Sequence, residues 1–349
     1  MNPITIGDIQ IGPGRAPFII AEMSGNHGQS LDKAYRLIDA AAEAGAHAIK
    51  LQTYTPDTIT LDCHEGEFFI EDPNSLWKGN SLYNLYKEAM TPWEWHKELF
   101  DYAKEKGLLA FSTPFDLTAV DFLETLNPPC YKVASFENTD HAILAAVAKT
   151  GKPVIVSTGM ASQSEIAESV EVLRANGCKD LVLLKCTSNY PANPVDANLK
   201  TIPHLSELFD CQVGLSDHTP GVGVAVAAVA LGATVIEKHF VLDRKGGEVD
   251  AEFSLEPHEI KLLVEETARA AVAIGKVSYG ATEREKASLV HRRSLYIAHD
   301  MKAGDTLTAE NLRSVRPGLG LPPKYLPLLL GKQIKCDAPK GTPMSWELL

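Results

Sequence analysis

Eight short apolar runs, each followed by a longer stretch with helical spacing, constrain the fold of this chain more than any other feature. The runs are Phe18-Met23, Ala46-Leu51, Leu108-Ser112, Tyr131-Ala134, Val154-Ser157, Leu181-Cys186, Gln212-Leu215 and Thr234-Lys238. Between them lie amphipathic stretches such as Leu31-Ala44, Trp93-Lys106, Ala142-Lys149, Gln163-Asn176, Gly221-Leu231 and Pro257-Ile274. Gly45, Gly107, Gly151, Gly177 and Gly232 stand where helices would end in the left-handed conformation that glycine accepts without strain. A helical crossover returns the next strand in the same direction, so this alternation calls for a parallel sheet. Eight strand-helix units within roughly 250 residues predict a (β/α)8 TIM barrel. The alternative is an open doubly wound sheet, and no GxGxxG turn favours it.

The alternation stops near residue 276. Residues 277–287 are charged and rich in small side chains, and the remainder carries Pro317, Pro322, Pro323, Pro327, Pro339 and Pro343 with few long helical patterns. It also holds an internal echo, in which Ala303-Gly304-Asp305-Thr306-Leu307-Thr308 recurs as Lys340-Gly341-Thr342-Pro343-Met344-Ser345. Each copy reads as a turn at glycine followed by a hydroxyl that caps a short helical turn. The expected division is a barrel over 1–276, a linker over 277–288 and a small domain over 289–349.

Composition excludes several classes. With 45% hydrophobic residues the chain can bury a large core, and its formal charge of -12 argues against a nucleic-acid partner, which selects clustered Lys and Arg. The first residues lack the order of a signal peptide, and the longest apolar stretch, residues 222–236, is interrupted by glycine and shorter than the roughly 20 residues that span a bilayer. Six scattered cysteines without a CxxC pair suit a reducing compartment and not structural zinc. A soluble cytoplasmic protein is the expectation.

In a barrel, the C-terminal ends of all strands meet at one mouth, and alternate side chains point inward. The strand ends here are unusually polar. The first brings Glu22 and the second Lys50 and Gln52; the third ends in Phe111-Ser112-Thr113-Pro114-Phe115-Asp116, the fourth in Tyr131-Lys132-Val133-Ala134-Ser135, the fifth in Val156-Ser157-Thr158-Gly159-Met160, the sixth in Lys185-Cys186-Thr187-Ser188-Asn189-Tyr190-Pro191, the seventh in Gly214-Leu215-Ser216-Asp217-His218-Thr219, and the eighth brings Glu237 and His239. Any one of these reads as a cap or a satisfied core residue, but together they would be an expensive structural network. Lysines and hydroxyls suit a small, multiply charged anion. Two imidazoles on neighbouring strands, without a thiolate, suit a divalent ion that keeps positions open for water and substrate oxygen. A second chemistry stays open, in which Lys132, Lys185 or Lys238 forms a Schiff base. Met160 and Phe136 read as packing residues.

These motifs resemble those of the sialic acid synthase family of phosphoenolpyruvate-dependent nonulosonate synthases. The resemblance rests on Ile20-Ala21-Glu22 with Asn26-His27-Gly28, Lys50-Leu51-Gln52, Tyr131-Lys132-Val133-Ala134-Ser135, Ser157-Thr158-Gly159-Met160, Gly214-Leu215-Ser216-Asp217-His218-Thr219 and Glu237-Lys238-His239-Phe240. The C-terminal part, with Arg316-Pro317-Gly318, resembles the antifreeze-like (SAF) domain of those enzymes. Three stretches are more similar to the pseudaminic acid branch than to the N-acetylneuraminate branch. They are Trp77-Lys78-Gly79-Asn80-Ser81-Leu82-Tyr83 with Thr91-Pro92-Trp93-Glu94-Trp95-His96, Ala134-Ser135-Phe136-Glu137, and Val249-Asp250-Ala251-Glu252-Phe253.

The resemblance implies condensation of phosphoenolpyruvate with an open-chain N-acetylated amino sugar, 2,4-diacetamido-2,4,6-trideoxy-L-altrose, releasing phosphate by C–O cleavage. The alternative is a manno-configured sugar, as in N-acetylneuraminate or legionaminic acid synthesis. A non-enzymatic carbohydrate-binding protein is a remote alternative. Carried over by motif, Lys50, Gln52, Thr113, Lys132, Ser135, Ser157, Ser188 and Ser216 would hold phosphoenolpyruvate. His218 and His239 would bind Mn2+ or Mg2+, and Glu22 would transfer a proton or orient the water that adds at C2. Tyr190, Asp250 and Arg316 would contact the sugar, with Arg316 delivered by a homodimer in which each antifreeze-like domain covers the partner's barrel. Glu237, one step deeper than His239 on the same face, is expected to orient it.

Overall fold

The computed structural model describes residues 2–73 and 75–349. They fall into two compact units that divide between residues 275 and 276. The first begins with an antiparallel pair, β1 (Ile4–Ile6) and β2 (Ile9–Ile11). Eight parallel strands follow: β3 (Phe18–Glu22), β4 (Ala48–Thr53), β5 (Leu109–Pro114), β6 (Tyr131–Val133), β7 (Val154–Ser157), β8 (Leu181–Cys186), β9 (Gln212–Asp217) and β10 (Val235–His239). All eight fall on the apolar runs. Their order is β5-β4-β3-β10-β9-β8-β7-β6. Pairing of β10 with β3 joins the last strand to the first and rolls the sheet into a barrel, with β5 and β6 side by side at the remaining seam.

The outer layer consists of α1 (Leu31–Glu43), α4 (Trp93–Glu105), α5 (Leu117–Leu126), α6 (His141–Lys149), α7 (Gln163–Ala175), α8 (Thr201–Phe209), α9 (Gly223–Ala230) and α10 (Pro257–Ala273), while the short α2 (Pro56–Ile59) and α3 (Leu82–Ala89) lie in the segment between β4 and α4. Local chemistry sets their ends. Ser30 caps α1 by accepting from the Lys33 amide, and Gly45 beyond it sits at φ +83°. Asp116, which follows a strand end, caps α5 by accepting from the Thr118 and Ala119 amides. Leu37, Ile38 and Ala41 of α1, and their counterparts on the other helices, bury against the outward side chains of the strands.

Inside the barrel, every second residue points to the axis. Phe18, Ile20, Phe111, Ile155, Leu184 and Val235 fill the lower layers, and Ile4, Ile6 and Ile11 of the hairpin pack beneath them as a plug. Gly214 belongs to this inward set. A Cβ there would stand 2.1 Å from the Val235 carbonyl oxygen and 2.6 Å from Leu184 Cδ2, so only glycine lets β9 approach β10 at this height. Above these layers the inward residues become polar.

In the second unit, 3-10 turns (Glu283–His291) precede an antiparallel pair, β11 (Ser294–Ile297) and β12 (Leu312–Val315), and one short helix, α11 (Leu326–Leu329). Its own core comprises Leu295, Ile297, Leu307, Leu312, Ile334, Met344 and neighbours. The echo in sequence is an echo in backbone: Gly304 and Gly341 sit at φ +93° and +90°. Thr308 accepts from the Asn311 amide in the first copy, and Ser345 leads into a 3-10 turn (Trp346–Leu348) in the second. Among the described residues, no helix is long and apolar enough to cross a membrane.

Candidate active site

The polar layer lies at the C-terminal ends of the strands and lines a cavity of about 470 Å³. Two lysines form its floor, and both are nearly fully buried. Lys50 Nζ lies 2.7 Å from Glu22 Oε2 and donates to Thr113 Oγ1 at 3.1 Å. Lys132 Nζ donates to Ser157 Oγ at 2.7 Å and to the Val133 carbonyl at 3.0 Å. Glu237 stands between them, with Oε1 at 4.0 Å from Lys50 Nζ and 3.8 Å from Lys132 Nζ, and accepts from Ser216 Oγ at 3.2 Å. Strand register makes these contacts possible, because Glu22 lies opposite Lys50 and His239, and Glu237 opposite Ser216.

Burying two ammonium and two carboxylate groups costs several kcal/mol per ion unless they pair. They divide unequally. Burial lifts Glu22 from its ordinary 4.5 to about 7 despite the adjacent Lys50. Burial also works to raise Glu237, but the two lysines outweigh it and hold its carboxyl down. The floor therefore joins two cations and a firmly ionised acid to a second acid that exchanges its proton near neutrality. That acid is bracketed on its other side, where Gln52 Nε2 donates to Glu22 Oε1 at 2.9 Å and to Ser24 Oγ at 3.0 Å.

His218 and His239 face each other with ring centroids 5.2 Å apart, as their places on adjacent strands allow. The Thr187 carbonyl lies 3.0 Å from His218 Nδ1, which places a proton there, and although burial works to lower the imidazole, Cys186 and this carbonyl raise it above its ordinary value. Burial, reinforced by His218 and three nearby lysines, holds His239 well below its ordinary value, so it is neutral. Its buried Nδ1 has no hydrogen-bond partner, and the nearest acid is Asp250, with Oδ2 at 3.6 Å. Asp250 itself accepts from Ser24 Oγ. Two facing imidazoles, one of them neutral and without a partner for a buried nitrogen, fit a divalent cation with open positions. Among the described residues, the cluster that brings three possible ligand atoms together is Glu256, His258 and Glu259. It lies at the start of α10, where Arg244 stands 2.8 Å from Glu259.

Most of the residues expected at the site do line this one cavity: Glu22, Lys50, Gln52, Thr113, Lys132, Ser135, Ser157, Tyr190, Ser216, His218, His239 and Asp250. Ser188 does not; its hydroxyl lies 3.7 Å from Cys186 Sγ and against Gly159, where a Cβ would stand 2.2 Å from it. Arg316 is exposed in the second unit, on a loop held by Ser294, whose Oγ donates to the Pro317 carbonyl and accepts from the Gly320 amide. Neither Lys185 nor Lys238 lines the cavity. Lys238 points to the opposite face of β10, where Asp217 Oδ2 is 3.0 Å away.

Three expectations are corrected. Glu237 does not orient His239, because one step deeper on the strand it reaches the axis, where the lysines converge; Asp250 takes the place beside the imidazole. Phe136 and Met160 are not packing residues, being 61% and 64% exposed, with Phe136 on the cavity and Met160 in left-handed backbone at φ +64°.

Other lining groups were not singled out from sequence. Glu137 lines the cavity with a buried Oε2 that lacks a partner, and burial lifts its pKa to about 7. Cys186 lies 3.9 Å from His218 Nδ1, and although burial works to raise the thiol, His218, Ser135 and Ser188 bring it down to about 7. Its alternation with Val182 and Leu184 would have placed it on the inward face.

Comparison with known proteins follows the same lines. A family model described as the NeuB family matches residues 37–279, and one for the SAF domain matches residues 292–349. The chain is 46% identical over 324 residues to a pseudaminic acid synthase of Campylobacter jejuni, covering 93% of this chain and 94% of that protein. It is 36% identical over 318 residues to an N,N'-diacetyllegionaminic acid synthase of the same species, covering 90% and 94%. The crystal structure of N-acetylneuraminic acid (sialic acid) synthetase from Leptospira borgpetersenii superposes with a TM-score of 0.72 at 35% identity, over 82% of this chain and 95% of that one.

Proposed function

Because this chain belongs to the NeuB family, we propose that it is a pseudaminic acid synthase, joining phosphoenolpyruvate to open-chain 2,4-diacetamido-2,4,6-trideoxy-L-altrose. The observation that carries this reading is the division of one cavity into a floor with two buried lysines and a facing pair of imidazoles. The floor suits phosphate and carboxylate; the imidazole end suits a carbonyl oxygen. The higher identity to a pseudaminic acid synthase than to a legionaminic acid synthase supports the sugar.

Lys50 and Lys132 hold the phosphate and carboxylate of phosphoenolpyruvate by charge, while Thr113, Ser135, Ser157, Ser216 and Gln52 fix its orientation. Ser188 acts from behind this set. Tyr190 and Asp250 contact the sugar. C3 of phosphoenolpyruvate forms the new bond to the sugar aldehyde carbon, water adds at C2, and phosphate leaves with cleavage of its C2–O bond. Glu22 is placed to orient that water and take its proton, since its carboxyl exchanges near neutrality. His218 and His239 would hold Mn2+ or Mg2+, which when bound polarises the aldehyde as a Lewis acid. Arg316 reaches the sugar from the partner chain of a homodimer whose SAF domains are exchanged.

The test is phosphate release measured with each substrate alone and with both, before and after EDTA. Release that needs both substrates and a divalent ion is expected. His239→Ala should lower kcat/KM by more than about 100-fold, beyond what loss of an outer partner does, and should weaken Mn2+ binding measured by calorimetry. EDTA-insensitive turnover, or borohydride trapping of substrate on Lys132, would replace the reading with Schiff-base chemistry.

A further inference from the structure

The walls of the cavity divide by chemistry. Strand ends and the loops after β6, β9 and β10 supply its charged groups. The segment between β4 and α4, with Val249 from across the mouth, supplies an apolar face made of Ile59, Ile70, Trp77, Leu82, Leu85 and Val249. Tyr54 and Tyr86 are the polar side chains that this segment adds among the described residues.

The face is fixed in place. Trp77 Nε1 donates to the Val249 carbonyl at 2.9 Å, which ties the segment to the loop after β10. The Trp77 ring lies 6.0 Å from Tyr190, and Tyr190 lies 4.5 Å from His218. The apolar face thus starts one ring beyond the imidazole pair. A sugar whose aldehyde meets phosphoenolpyruvate at the lysine and imidazole end can lay its far carbons on this face, one ring away.

We infer that the face selects sugars by what their far end lacks: it accepts a terminal methyl group and rejects a terminal hydroxymethyl, because a hydroxyl buried against these six side chains finds no partner among them, Trp77 Nε1 being already engaged. The inference rests on the condensation reading above and assigns its sugar selectivity to this segment. An apolar wall rejects an added hydroxyl by about 100-fold and not by much more.

Two measurements separate this inference from the reading it rests on. The first is kcat/KM for the 2,4-diacetamido-6-deoxy sugar against its 6-hydroxy counterpart; the second is calorimetric binding of the two unreactive open-chain alditols. The native protein should prefer the 6-deoxy member about 100-fold in both. Val249→Thr and Ile70→Thr place a hydroxyl on the face at small cost in shape, and each should shrink the preference at least about threefold by improving the 6-hydroxy sugar. Improvement on one substrate is a change that misfolding does not produce. Native preferences within twofold, or preferences unmoved by both substitutions, overturn the inference. Turnover without preference overturns the apolar face alone, and alditol preference without turnover overturns the condensation alone.

Discussion

Glu137 is the residue at which the cavity's cost to the fold is most directly measurable. Burial raises its carboxyl from 4.5 to about 7, so the folded state binds the proton more tightly than the unfolded chain does. The associated stability is fully present below about pH 4.5 and is lost as the pH rises through about 7. Glu137→Gln should therefore gain on the native protein between pH 5 and 8 by on the order of 2–3 kcal/mol, read from denaturant melts at both pH values. Parallel pH profiles would mean that the carboxylate is paired in solution. Glu22 is raised by burial to the same region, but its expected role is functional. If its carboxylate orients the water, kcat/KM rises with pH to a plateau above about 7, and Glu22→Gln lowers the rate at least about 100-fold and removes that limb. An acid limb that persists in Glu22→Gln assigns the titration to another group.

At the scale of elements, the site depends on pieces that do no chemistry. The β1–β2 hairpin closes the barrel's lower end, with Ile6 and Ile11 essentially inaccessible beneath Phe18 and Ile20. Ile6→Ala should cost about 2–5 kcal/mol of stability and leave both substrates' KM within about twofold, since the hairpin lies at the opposite end from the polar layer. A changed KM would show that the plug sets the height of the floor residues. The segment between β4 and α4 works at the other end by contributing an apolar surface. Its short helices, α2 and α3, are too irregularly spaced to resemble a strand-helix unit.

At the scale of the whole molecule, the proposed chemistry needs a residue from outside the barrel. Arg316 is exposed on a loop that Ser294 holds, in a unit with its own core. Arg316→Ala should raise the sugar KM at least about tenfold while the phosphoenolpyruvate KM stays within about twofold, because a lost ion pair or bidentate contact is worth 1–3 kcal/mol. Mixing Arg316→Ala with a Lys132→Ala chain, each inactive or impaired alone, should restore activity if the domains are exchanged in a dimer. Failure to complement, with dimers formed, would mean that each domain serves its own barrel.

The sequence by itself determined the barrel and most of the polar side chains that its strands carry to the mouth. Strand periodicity is a local property, so the alternation of Val235, Glu237 and His239 against Ile236 and Lys238 was enough to send the first three inward and Lys238 out to Asp217. It could not determine who meets whom across the axis. Glu237 joins Lys50 and Lys132 instead of His239; Asp250 comes to His239 from a loop; Glu137, Phe136 and the apolar segment arrive by loop paths that no period encodes. Those distances depend on how strands are staggered around a closed barrel and on the course of the chain between them. Only the assembled tertiary structure fixes either one.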